Sequence, residues 1–174
     1  MRTQNLKIQV ITLSIIIFAL AIFRLLPHLP NVSPVAAMAL FGGAYFADKK
    51  LAFIVPFAAL LLSDLLLGLH NTMIFVYAGF ALTVVIGFMI KDRVSVTNTT
   101  FAVLASSVLF FLLTNFGAWI TSPLYAKTAE GLMQAYVAGI PFFQNSLIGN
   151  LVFAAIIFGG YHLLQKNVSA LKAV

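Results

Sequence analysis

The run IQVITLSIIIFALAIFRLL, residues 8–26, carries one charge, Arg24, and that charge stands near its end. A single helical membrane span needs about 20 mostly apolar residues, so this stretch alone is long enough to cross. Arg2 and Lys7 precede it, as they would precede the core of a secretory signal. A signal core is shorter, however, and a small-x-small cleavage site follows it. Here Arg24, Pro27, His28 and Pro30 follow instead. The run reads as a retained transmembrane helix.

Working outward, five more apolar runs occupy residues 35–47, 51–68, 72–90, 101–120 and 142–164. The second is short for a span. The third and fourth are parted by a turn around His70-Asn71, and Pro56 marks a kink in the third. Residues 121–141 interrupt the pattern with Ser, Pro, Lys, Glu and Gly. Within them, residues 128–139 read as a short amphipathic helix capped by Thr128, and Pro141 reads as the start of the sixth span. Strand-like alternation, the mark of a lipid-facing barrel, is missing from all of these runs.

Composition agrees. The 174 residues are 62% hydrophobic and 8% charged, against about 45–50% and about 25% in soluble domains. That excludes a water-soluble monomer and a disordered chain. There is no Cys, hence no disulfide or thiolate site. The net charge of +6 has a topological origin. With the N-terminus in the cytoplasm and strict alternation, Arg2, Lys7, Lys49, Lys50, Lys91, Arg93, Lys166 and Lys172 fall inside and only Arg24 and Lys127 outside. That is the positive-inside bias, and it needs no nucleic-acid partner. The expected fold is all-α: a single integral membrane domain, 1–174, built as a six-helix transmembrane bundle with N- and C-termini cytoplasmic.

Polar groups inside a bilayer are costly, and each is a functional candidate. Nearly all of them fall in the outer half. Arg24 ends helix 1, Asp64 lies near the outer end of helix 3, and Asn115 and Trp119 share one face of helix 5 at a spacing of four. Asn145 and Asn150 lie in the outer part of helix 6, and His28 and Asn31 overhang from the first loop. Polar groups on one side only fit an outward-facing pocket better than a continuous pore. The candidate substrate-binding residues are therefore Arg24, His28, Asn31, Asp64, Asn115, Trp119, Asn145 and Asn150. Each has a plainer alternative. Arg24 and Asp64 can pair to lock helices 1 and 3, Trp119 and Tyr125 can be interfacial anchors, and Asn115 and Asn150 can be interhelical glue. His70 fits a turn residue, and His162 a snorkelling or capping residue at the cytoplasmic end. No HExxH, GxSxG or P-loop pattern occurs, so no enzyme activity, catalytic residue, metal or cofactor is expected. Ala39, Gly43 and Ala47 form a small-xxx-small ridge that can serve packing within the bundle or a partner helix.

Four blocks carry a resemblance: FRLLPHLPNVSPVAAMALFGGAYF (23–46), LLLSDLLLG (60–68), TNFGAWI (114–120) and AYVAGIPFFQNSLIGNLVF (135–153). They resemble an uncharacterised family of small bacterial integral membrane proteins, which is similar in turn to the S components of energy-coupling factor (ECF) vitamin transporters. The resemblance implies an S-component bundle whose pocket opens outward under the helix 1–2 and helix 5–6 loops. It also implies uptake by reorientation of the bundle, driven by a transmembrane scaffold and two ATPases. Three features depart from the pattern. Helix 1 lacks the Ala-xxx-Ala motif that meets the scaffold, since Ala19 and Ala21 have the wrong spacing. Met1-Arg2-Thr3 lacks the His of the nickel and cobalt branch. Asn150 stands where relatives carry Asp. The expected function is capture of a small solute, such as a vitamin or heterocyclic precursor, for uptake. The alternative is a structural or assembly factor of a membrane complex with no transported substrate.

Overall fold

Short polar caps set where three of the long helices start, as the computed structural model of residues 2–172 shows. Met1, Ala173 and Val174 lie outside the described residues, as does the side chain of Arg2, one of the eight cations counted above. Helix α1 spans Arg2–Phe23 and α2 spans Val35–Tyr45. Helix α3, Lys49–Leu67, begins where the Asp48 carboxylate accepts the Lys50 amide at 2.6 Å, and it stops at Gly68, whose φ of 105° a side chain would resist. Helix α4 covers Met73–Ile90 and runs into a 3-10 turn at Lys91–Arg93. Helix α5, Val96–Thr121, is capped by Ser95, and α6, Ala129–Asn167, by Thr128, each side chain accepting an amide of the first turn. A last 3-10 turn, Ser169–Leu171, packs back on α1.

Two boundaries differ from the sequence reading. Residues 128–139 and 142–164 are not separate helices; α6 is continuous from 129 to 167, with Pro141 in its interior. A proline removes one backbone hydrogen bond but is tolerated inside membrane helices, where neighbours satisfy the freed group. The first helix also starts and ends earlier than 8–26, so Arg24 lies just past its end.

Among the described residues, five helices are long and apolar enough to cross a membrane. They expose broad apolar faces: Ile15, Leu66, Ile74 and Phe101 each present well over half their surface, a state that demands lipid rather than water. The chain is a multi-pass membrane protein by these criteria. Helix α2 is different. It is apolar all round, and every residue from Ala36 to Ala44 is buried, as expected for a helix enclosed by others. The remaining helices surround it, α4 most intimately. The ridge read in the sequence serves this internal packing. A Cβ at Gly43 would collide with the Val84 carbonyl, and one at Gly87 would lie 2.8 Å from the Gly43 Cα. Gly42 in turn makes room for the ring of Pro56.

The helices alternate in direction. Lys49, Lys50, Lys91, Arg93 and Lys166 gather at one end, hereafter the basic end. There the Lys91 ammonium donates to the carbonyls of Phe46 and Ala47, at 2.9 and 3.1 Å, just past the end of α2. Because Gly43 meets Val84 and Gly87, and Lys91 meets Phe46, the first residue of α2 stands level with about residue 79 of α4. Helix α4 itself begins at 73, so α2 falls short of the far end by about 9 Å, at 1.5 Å per residue. The loop from Arg24 to Pro34 fills the difference.

Candidate functional site

The far end is organised around that loop. Its first residue, Arg24, reaches across to α3. One guanidinium nitrogen donates to Asp64 Oδ1 at 2.8 Å and the other to Ser63 Oγ. The second carboxylate oxygen of Asp64 accepts the Tyr77 hydroxyl of α4 at 3.0 Å. Asp64 is 3% exposed. Burial of a carboxylate is tolerable only with such partners, and here a cation and a phenol supply them. The pairing anticipated between helices 1 and 3 is present, with Ser63 and Tyr77 added to it.

Further along, the loop tip is exposed at His28 and Asn31. His28 Nδ1 lies 2.7 Å from the Leu26 carbonyl oxygen, and its ring is 6.2 Å from that of Phe23. Asn31 adopts a φ of 62°, the left-handed turn that asparagine tolerates better than most residues. The loop then descends. Asn145 of α6 donates to the Pro30 carbonyl at 3.2 Å. Val32 Cα stands 3.2 Å from where a side chain on Gly149 would begin, so the absence of one lets the loop lie against the helix. The Ser33 hydroxyl is enclosed with no hydrogen-bond partner. One turn deeper than Asn145, the buried Asn150 amide donates to Ser107 Oγ of α5 at 3.0 Å.

Asn115 and Trp119 belong to the hairpin of α5 and α6. The Asn115 amide donates to the Phe111 carbonyl of its own helix at 2.9 Å, and its oxygen presses on Gly139, where a Cβ would not fit. The Trp119 indole donates to the Ala126 carbonyl at 2.8 Å, while Lys127 bonds the Trp119 carbonyl and stands 5.9 Å from the ring. The eight candidates thus fall into three groups by their contacts. Arg24 and Asp64 form one. Asn145 and Asn150, with the loop bearing His28 and Asn31, form the second. Asn115 and Trp119, at the hairpin tip, form the third.

Ser63, Ser107 and Tyr77 escaped the sequence reading. Serine is common in membrane helices because it can bond its own backbone, as Ser63 does to Leu60. Tyr77 sits near a span end, where tyrosine is ordinary. Also unanticipated is a cavity of about 820 Å³ at the basic end, between α5, α6 and the α4–α5 turn, with Gln9 of α1 and the end of α2 at its back.

Comparison with curated proteins and with solved structures finds no match. A family model does match, over residues 4–171, nearly the whole chain. The blocks that carry its buried pair, its descending loop and its hairpin all lie within that match, and the chain belongs to the Family of unknown function (DUF6580).

Proposed function

We propose that this protein captures a small solute at the far end of the bundle for uptake across the bacterial inner membrane, in the manner of an S component, with both termini in the cytoplasm. The observation that carries the reading is the short central helix. Helix α2 stops about 9 Å below its neighbours, and the space above it holds a loop rather than a sixth full span. A loop is far easier to displace than a helix. This one is held to α6 by the Asn145–Pro30 hydrogen bond and the Val32–Gly149 contact. Displacing the loop would uncover the first amides of α2 beside Gly149 and Asn150 of α6. Mostly apolar walls with a few convergent polar groups are the usual form of a small-molecule site. Reorientation powered by an ECF-type scaffold and two ATPases belongs to the same proposal, and the solute is of vitamin or heterocyclic-precursor size.

A second reading has one observation in its favour. Arg24, Asp64, Asn150 and Trp119 are satisfied by other groups of the chain, as in a structural or assembly factor whose polar residues act as glue.

The absence of native cysteine permits a clean test. Native mass spectrometry of gently purified protein is expected to show a non-covalent small-molecule adduct. The released compound should rebind Val32→Cys/Gly149→Cys protein when reduced and fail to rebind once the pair is oxidised, because the bridge holds the loop down. Lack of any adduct, together with stoichiometric co-purification of other membrane subunits, would replace capture by the assembly reading.

A further inference from the structure

We propose that the cleft at the basic end binds an anionic phospholipid, its phosphate at the rim and an acyl chain along α5 and α6. The site is remote from the descending loop and does not depend on solute capture.

The cleft exists because the α5–α6 hairpin is zipped at one end only. Toward the far end the two helices meet through Asn150 and Ser107, Phe143 and Phe111, the Tyr136 hydroxyl and the Leu112 carbonyl, and Gly139 and Asn115. Past Asn150 the contact lapses. Gly159 of α6 has no other atom within 4 Å of its Cβ position, and the cavity of about 820 Å³ lies between the two helices there. Among α6 glycines, 131, 139 and 149 are packed against neighbours, and 159 and 160 face open space; of these two, 159 lines the cavity.

The lining grades with depth. With Asn150 level with Ser107, Val103, Leu151 and Ala154 lie deepest, Thr99, Thr100 and Phe158 lie between, and Lys91, Arg93, Ser95, His162 and Gln165 form the rim, with Gln9 and Tyr45 on the inner wall. From Leu151 to His162 is about 16 Å along α6, at 1.5 Å per residue. That is close to half of the ~30 Å hydrocarbon core, the depth of one leaflet. An amphiphile with a polar head and a chain of leaflet length fits this gradient; a compact polar solute would leave the deep walls bare.

Charge selects the head. Lys91 is fixed in place by the Phe46 and Ala47 carbonyls, and those neutral partners leave its charge uncancelled. The one ion pair among the described residues is Arg24–Asp64, so Arg93 is not neutralised by the neighbouring Asp92, the only acid on the rim. Two cations against one carboxylate leave the rim positive, and the N-terminus of the 26-residue α5 opens onto it. Basic pockets between membrane helices on the cytoplasmic side take anionic lipid headgroups.

The test titrates the full chain in detergent with phosphatidylglycerol, phosphatidylcholine and inorganic phosphate, read by native mass spectrometry and thermal shift. Phosphatidylglycerol is expected to saturate at one molecule per chain and raise the melting temperature, with phosphatidylcholine about fivefold weaker or more. Arg93→Gln should weaken phosphatidylglycerol about fivefold. Gly159→Leu, which fills open space without touching charge, should weaken it as well, and Lys127→Gln at the far end should not. Equal binding of the two lipids, or wild-type affinity in both Arg93→Gln and Gly159→Leu, would overturn the proposal. So would full competition by millimolar inorganic phosphate, which would mark a free-phosphate site instead of a lipid site.

Discussion

Arg24 and Asp64 are the two charges that the far half of the bundle buries or half-buries, and they are buried together. At 2.8 Å, with Ser63 bonded to the guanidinium and Tyr77 to the carboxylate, the pair is a connected network rather than a lone bridge. Removing one partner of a buried pair strands the other and costs about 3–5 kcal/mol. Asp64→Ala is therefore expected to lower thermal stability in detergent markedly, and the Arg24→Ala, Asp64→Ala double variant to lose less than the sum of the singles. Strict additivity in that cycle would show that the two do not communicate. These residues were legible in the sequence because an arginine or aspartate among leucines has no cheap explanation. Their partners were not, since a serine or tyrosine in a membrane helix has several. Asn150 lies between: its cost was visible, but its partner Ser107 is set by how α5 and α6 cross, which no spacing within one helix encodes.

Helices α2 and α4 approach until their glycines touch. A Cβ on Gly43 has nowhere to go but into the Val84 backbone, which cannot rotate aside as a side chain could. Overpacking of this kind typically costs about 1–3 kcal/mol. Gly43→Ala should thus melt clearly below wild type, whereas Gly159→Ala, with open space and better helix propensity, should match or exceed it. Equal melting of the two variants would mean that the α2–α4 contact is looser than described. The small-xxx-small spacing of Ala39, Gly43 and Ala47 exposed this ridge in the sequence, though not its partner. The hairpin of α5 and α6 was misjudged for a related reason. Pro141 and the polar residues before it look like a break when read singly, yet α6 runs through them, with Ala135 and Gly139 buried and Gly139 against Asn115 and Phe111 of α5.

For the molecule as a whole, the count of apolar runs and the sorting of lysines carried most of the architecture, and the structure has the same alternation, with five long helices and one short. Reporter fusions after Lys50, Arg93 and Lys166 should read cytoplasmic, and fusions near His70 and Lys127 external; an external reading at Arg93 would invert or break the proposed topology. Residues 35–47 are short for a span, which fits a tilted helix or one partly buried in protein, and the structure has the second: a buried post of which 11 residues are helical, about 16 Å in length. That shortness bears on how the chain is made. A segment spanning about half of the hydrocarbon core is too brief to enter a bilayer by its own hydrophobicity. The backbone that closes on Gly43 belongs to α4, more than forty residues downstream. While the ribosome is still adding α3, α2 has only part of its enclosure. Its seating is thus a late event in biogenesis, completed when α4 arrives, and the loop that covers it is shaped last of all, once α6 supplies Asn145 and Gly149.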